Sequence, residues 1–206
     1  MSKICAIISG GNFSPLLNIE NSDYIIACDK GYEYAKKAGI LPNLIIGDFD
    51  SCREEPPEKI PVLSLPEEKD DTDTMSAIRY AVAHNFDELF IYCALGGRLD
   101  HTVGNIQSAS YAASKGLTVR IIDSDNELCI FSDNEIIFPK RDNCSISVLS
   151  LSDKCDGVSV TGGKYKLENA TVTNIFPIGI SNEWTDSISV SVKTGIIAVI
   201  MSGLDR

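Results

Sequence analysis

Six short and almost uninterrupted apolar runs punctuate the first 125 residues: KICAIIS (3–9), YIIAC (24–28), NLIIG (43–47), PVLSL (61–65), ELFIYCA (88–94) and TVRIID (118–123). A strand with one wet face alternates apolar and polar side chains. A run without alternation fits a strand covered on both faces, as in a parallel sheet. Segments of helical character lie between several of these runs: GYEYAKKAG (31–39), TDTMSAIRYAVAHN (72–85) and HTVGNIQSASYAASKG (101–116). In the second, Met75, Ile78, Ala81 and Val82 recur at helical spacing. Gly39 and Gly116 stand where helices end. Strands alternating with helices imply an α/β fold built on an open parallel sheet, Rossmann-like in plan, over residues 1–125.

The texture changes beyond residue 125. Helical periodicity stops, and short β-rich runs follow: ELCIF (127–131), EIIF (135–138), SISVLSL (145–151), GVSVT (157–161), KYKL (164–167), SISVSVK (187–193) and GIIAVIM (195–201). The last two meet at Lys193-Thr194-Gly195, which reads as the turn of a hairpin. Closely spaced strands with turn residues between them predict an all-β sandwich over residues 126–206.

At 206 residues the chain suits one large domain or two small ones. Its net charge of −11 argues against nucleic acid as a partner. No apolar run reaches the ~20 residues of a membrane helix, and the N-terminus carries no signal-peptide pattern, so a cytoplasmic location is expected. The cysteines at 5, 28, 52, 93, 129, 144 and 155 never come as C-x-x-C, which removes the usual zinc and redox spacings. Cys5, Cys28 and Cys93 fall inside apolar runs and read as small core residues.

The acid is placed with more purpose. Asp48 and Asp50 follow the third run in LIIGDFDSCREE; Asp70, Asp71 and Asp73 lie in EEKDDTDT; Asp100 ends LGGRLD after the fifth run. In an extended segment, residues two apart project the same way, so Asp48 and Asp50 can share a cation. Asp70 or Asp71 can cap the helix that begins there, and a helix N-terminus suits phosphate. Gly96 and Gly97 let the backbone approach a ligand, and Arg98 offers a planar fork for phosphate oxygens. A lone D-x-D is more often a turn and a cap, but three such stretches at strand ends make a site, because ligands of open α/β sheets bind there. Hard oxygen donors favour Mg²⁺ or Mn²⁺ over zinc or copper, and Mg²⁺ with Lys69 or Arg98 suits phosphoryl or pyrophosphoryl transfer. His101, beside Asp100, reads as structural, and His84 as a partner of its helix C-terminus.

Taken in order, ACDKGYEYAKKAGILPNLIIGDFDS, KDDTDTMSAI and ALGGRLDHTVGNI resemble thiamine pyrophosphokinase (thiamine diphosphokinase), and VSVTGGKYKLENATV with GISNEW resembles that family's β domain. The resemblance runs from about Asp29 to Ser202. It implies an α/β nucleotide domain followed by a β-sandwich. It also implies a homodimer, with thiamine held at the subunit interface, and Mg-dependent transfer of the pyrophosphoryl group of ATP to thiamine, giving thiamine diphosphate and AMP. On that resemblance Asp48, Asp50, Asp70 and Asp73 hold Mg²⁺, and Lys69 and Arg98 neutralise the polyphosphate. Asp29, Gly31, Thr72, Gly96, Gly97 and Asn105 line the ATP site. Asp100 contacts or deprotonates the thiamine hydroxyl, while Tyr165, Ser181 and Asn182 meet thiamine. The family's D-G-G reads Asp29-Lys30-Gly31 here, and Tyr165 stands where some relatives carry tryptophan. Two other readings remain open: a Mg-dependent phosphohydrolase, which would hydrolyse ATP without thiamine, and a non-catalytic nucleotide or thiamine sensor, which would form no AMP.

Overall fold

A computed structural model describes residues 2–47, 59–66 and 71–204. The chain is mixed α/β, with one large sheet and a separate four-stranded antiparallel sheet. It divides into two compact units, one comprising residues 1–112 and 119–124, the other residues 113–118 and 125–206.

In the first unit, strands β1 (Ile4–Ile8), β2 (Tyr24–Cys28), β3 (Leu44–Gly47), β4 (Val62–Ser64), β5 (Glu88–Tyr92) and β6 (Thr118–Ile122) lie side by side in the order β6-β5-β1-β2-β3-β4. The pairs β1–β2, β1–β5, β2–β3 and β3–β4 are parallel. The chain therefore walks one way from β1 to β4, then returns to lay β5 on the other side of β1. Ligands of open α/β sheets bind at such a reversal, beyond the carboxyl ends of the strands. Ile7, Ile8, Ile26, Ile45, Ile46 and Ile91 are fully buried, as uninterrupted aliphatic runs require. β4 departs from this rule: Val62 and Leu63 are exposed, because β4 is the outermost strand of the unit.

Among the described residues, three α-helices connect the strands: α1 (Gly31–Lys37), α2 (Asp73–Ala83) and α3 (Leu99–Ser114). The buried stripe of α2 is Thr74, Ala77, Ile78 and Ala81, offset from the one read in the sequence. Thr74 is polar yet belongs to it, because its hydroxyl is bonded to Ser9 Oγ at 2.7 Å. Asp71 does not cap the helix. Thr72 takes that place, its Oγ1 accepting from Met75 N at 3.1 Å, and Asp71 instead pairs with Arg79 at 3.1 Å. Asp70 lies outside the described residues. His84 is the C-terminal cap of α2, with Nδ1 2.7 Å from the Tyr80 carbonyl.

The second unit holds β7 (Asn126–Ser132), β8 (Glu135–Phe138), β9 (Cys144–Ser150), β10 (Lys154–Gly163), β11 (Leu167–Thr173), β12 (Gly179–Asn182), β13 (Trp184–Ser191) and β14 (Ile196–Gly203). Their orders are β12-β9-β14-β7 and β11-β10-β13-β8, with every pair antiparallel. Phe131, Ile146, Val148, Ile197, Val199 and Met201 from the first set share one core with Phe138, Val158, Val160, Val172, Ile188 and Val190 from the second.

Two sequence expectations fail in this unit. β13 and β14 do not form a hairpin; they belong to different sheets, and the chain between them crosses over. Gly195, at φ +97°, bends against Cys155, while Thr194 bridges to Asp156. The alternating side chains of both strands thus meet face to face in the core rather than edge to edge. KYKL is likewise not a strand. Only its Leu167 begins β11, and Lys164 to Lys166 form the turn before it.

Candidate functional site

The reversal of strand order between β2, β1 and β5 leaves a cleft of about 400 Å³ beyond their carboxyl ends. Ser9, Gly10 and Gly11 follow β1 into it, Cys28 ends β2 with Asp29 and Lys30 after it, and Ala94 and Gly96 follow β5. The opening turn of α2 adds Thr72, Asp73 and Thr74, and α3 adds Asp100, His101, Gly104 and Asn105.

Several contacts make this edge rigid. The Ser9–Thr74 hydroxyl bond joins the end of β1 to the start of α2. Gly11 N donates to the Cys93 carbonyl at 2.9 Å, and Tyr34 Oη donates to the Gly11 carbonyl at 2.8 Å. A Cβ at Gly11 would stand 2.5 Å from the Cys93 oxygen, so a glycine is required there. Asn105 is buried, and its Nδ2 donates to the Ala94 carbonyl at 2.8 Å. Asp29 is buried in the left-handed region at φ +45°, a conformation aspartate tolerates better than most residues. Gly96 and Gly97, at φ +76° and +71°, lie against the Asn12 side chain.

Asp29, Thr72, Asp73, Gly96, Asp100 and Asn105, predicted from sequence, thus converge on one cleft. Gly31, Gly97 and Arg98 do not line it. Gly31 is bare for a packing reason: a side chain there would overlap the carbonyl of Ile8. Asp48, Asp50, Lys69 and Asp70 lie outside the described residues. Sequence reading passed over Ser9, Gly10 and Gly11, although a Gly-Gly directly after a buried strand is the signal that could have found them. It also set aside His101, which lines the cleft.

Arg98 and Asp100 meet on the exposed lip. Arg98 Nη2 lies 2.6 Å from Asp100 Oδ2, and Nε 3.1 Å from Oδ1. The guanidinium holds the Asp100 carboxyl below the usual carboxylate range, with the His101 amide assisting. Among the described residues no group of three histidine, cysteine or acidic side chains gathers as a metal site.

A second cavity, of about 360 Å³, lies in the other unit along the edge formed by β9, β10 and β12. Tyr165, Ile178, Ile180, Ser181 and Asn182 line it, over a floor of Val148 and Val160. All three residues predicted to meet thiamine are therefore together. Ser181 is at φ +56°, uncommon for serine, and its amide donates to Ser147 Oγ at 3.0 Å.

The family model described as "Thiamin pyrophosphokinase, catalytic domain" matches residues 16–121, and "Thiamin pyrophosphokinase, vitamin B1 binding domain" matches residues 133–197. A thiamine pyrophosphokinase of Bacillus subtilis is 33% identical, over 97% of this chain and 99% of the relative. The chain belongs to the thiamine pyrophosphokinase family. Members of this family are transferases that make thiamine diphosphate. A crystal structure of the Bacillus subtilis protein superimposes with a TM-score of 0.86 at 30% identity, over 99% of this chain and 100% of that one. One from Geobacillus thermodenitrificans gives 0.81 at 28% identity, over 97% of each chain. A Candida albicans thiamin pyrophosphokinase, 15% identical, shares the fold with a TM-score of 0.77 over 98% of this chain and 89% of that one. The cleft falls mainly within the catalytic match and the second cavity within the vitamin B1 match.

Proposed function

We propose that this member of the thiamine pyrophosphokinase family transfers the pyrophosphoryl group of ATP to thiamine, with Mg²⁺, using the strand-end cleft for the nucleotide. The N-terminal region, residues 1–125, serves as a Rossmann-like nucleotide domain and residues 126–206 as a β-sandwich for thiamine. The observation that carries this reading is the gathering of Asp29, Thr72, Asp73, Asp100 and Asn105 where the strand order reverses.

The donor set is consistent with magnesium. Asp73 lies on the cleft wall at the start of α2, and its oxygens are hard ligands. Asp73 would hold the ion together with Asp48, Asp50 and Asp70, which lie outside the described residues. When bound, Mg²⁺ screens the phosphate charge and favours in-line attack. In the reaction the thiamine hydroxyl oxygen bonds to the β-phosphorus of ATP, the bond from that phosphorus to the α-phosphate oxygen breaks, and AMP departs with the electron pair. Asp100, which lines the cleft, would contact the hydroxyl and take its proton. Its pairing with Arg98 weakens it as a base, and turning Arg98 toward the polyphosphate would restore basicity. Lys69 would add positive charge, and Gly97, beside Gly96, would leave the backbone free to approach the nucleotide. Tyr165 and Ser181 take thiamine in the second cavity, where an aromatic face suits a cation. The acidic chain as a whole also attracts a cationic substrate.

Phosphorus NMR of the protein with ATP, Mg²⁺ and thiamine should reveal AMP and a new diphosphate ester, both lost when EDTA is added. Release of ADP and phosphate regardless of thiamine would point instead to the hydrolase.

We also infer a cytoplasmic homodimer with thiamine at the subunit interface. Beside the second cavity Ile175, Phe176, Ile178 and Ile180 are exposed, Ile175 to 88%. A cluster of this kind on a small protein marks an interface. Six buried or half-buried cysteines carry no disulfide among the described residues, in keeping with a reducing compartment. No described helix is long and apolar enough to cross a membrane. Sedimentation at micromolar concentration should give twice the 22.4 kDa chain mass, and a monomer throughout would contradict a shared site.

A further inference from the structure

The polar tip of Asn182 is almost entirely committed. Its Oδ1 accepts from the amides of Tyr165 and Glu183, both at 2.9 Å, and its Nδ2 donates to the Tyr165 carbonyl at 2.7 Å. A carboxamide offers two donors and two acceptor positions, so three of the four are used inside the protein. Two of those three hold the backbone N–H and C=O of a single residue, Tyr165. The side chain thus does for the turn at 164–166 what a neighbouring strand does for a β-residue. Beyond the bond from Lys164 N to the Glu183 carbonyl at 3.0 Å, that turn lies outside the sheet ladders, since β10 ends at Gly163 and β11 begins only at Leu167.

The surroundings are shaped around this clamp. Asn182 is only 7% exposed, whereas Tyr165, which it grips, is 60% exposed and lines the cavity. Gly163 approaches the carboxamide so closely that a Cβ would stand 2.7 Å from Nδ2 and 3.1 Å from Oδ1. The register between β12 and β9 shifts between Gly179 and Asn182, with Ser181 left-handed between them, and this local kink carries Asn182 toward the turn. On the other side, Lys164 Nζ stands 5.5 Å from the Tyr165 ring centroid and is tied to Glu183 at 2.6 Å. Glu183 N is itself bound by Asn182 Oδ1, so Tyr165 and the partner of Lys164 hang on one carboxamide.

We infer that Asn182 is a positioning residue: it grips the backbone of Tyr165 and so fixes the aromatic wall against which the thiamine ring is received. The inference rests on the proposed use of this cavity for thiamine. It gives Asn182 its role through Tyr165 rather than by direct contact. A pinned aromatic ring meets its ligand without first losing the freedom of the turn that carries it, which lowers KM for the ligand it faces.

A double-mutant cycle on the full chain tests this, with Asn182→Ala, Tyr165→Ala and the two combined. Asn182→Ala should raise KM for thiamine roughly tenfold, the scale of one well-placed cation–aromatic contact, while KM for ATP moves less than about twofold. On the Tyr165→Ala background the same change should add less than about twofold, because the group it positions is gone. Equal factors on both backgrounds would overturn the inference and make Asn182 a direct contact. Amide hydrogen exchange on the ligand-free protein gives an independent arm: Asn182→Ala should speed exchange at Tyr165 N–H, and unchanged exchange would also overturn it. Should Asn182→Ala fail to fold, Gly163→Ala presses on the same carboxamide and should reproduce the thiamine-specific rise and the faster exchange. If the unmodified protein fails to use thiamine, the proposed function falls, and exchange at Tyr165 alone decides the clamp.

Discussion

Asp73→Asn should lower kcat on the order of a thousandfold while leaving thiamine affinity within about twofold. The expectation follows from where the carboxylate sits. Asp73 is the first residue of α2 and lies on the cleft wall, between a threonine cap and a threonine bonded across to β1. Its position is therefore set by the sheet, not by a free loop. Asparagine keeps the size of the side chain and removes only the charge, so the change isolates the anionic oxygen that a hard cation needs. The helix loses an acid in its first turn, worth about 0.3–1 kcal/mol, too little to unfold the chain. Steady-state rates, with calorimetric titration of thiamine as the control, separate these effects. Turnover above about a tenth of the parent rate would remove Asp73 from the reacting machinery.

The parts of the fold that sequence made legible are those where one physical demand dominates. β1, β2, β3, β5 and β6 fall within a residue or two of their apolar runs, because none of their side chains is fully exposed and such strands have little freedom in composition. β11 was missed for the opposite reason. In Leu167–Thr173 only Val172 is buried, so the strand is defined by pairing with β10 and carries no apolar rhythm. The false hairpin at 193–195 has another cause. Alternation tells which side chains face a core, and it is silent on whether two successive strands share a sheet or face each other across it. The cleft behaved in the same way. Acids at strand ends are visible in a linear sequence, whereas Ser9, Gly10 and Gly11 matter only because β5 returns to lie beside β1. The role of Asn182 was hidden more deeply still, since nothing in GISN announces that its carboxamide turns inward to a backbone 17 residues away.

Gly31 offers the sharpest separation of packing from ligand contact. The family pattern places it along the nucleotide, and the geometry places it under β1. Gly31→Ala should destabilise the protein by about 3 kcal/mol and lower its Tm by roughly 10 °C. The added methyl group would overlap the Ile8 carbonyl and also stand 3.1 Å from the Ser9 carbonyl. Both are backbone atoms of the central strand or of the residue directly after it, so neither can swing aside as a flexible side chain would. Relief requires α1 to lift from the sheet, and α1 carries the buried Tyr32, Tyr34 and Ala35. Tyr34 in turn holds the Gly11 carbonyl, so the displacement reaches the cleft through packing alone. Lys30→Gly changes the adjacent residue without adding bulk and should cost under about 1 kcal/mol. Thermal unfolding of the two variants without nucleotide decides the matter. A Gly31→Ala protein as stable as its parent, but with a raised KM for ATP, would return Gly31 to the ligand and show that α1 yields more readily than a helix anchored by two tyrosines should.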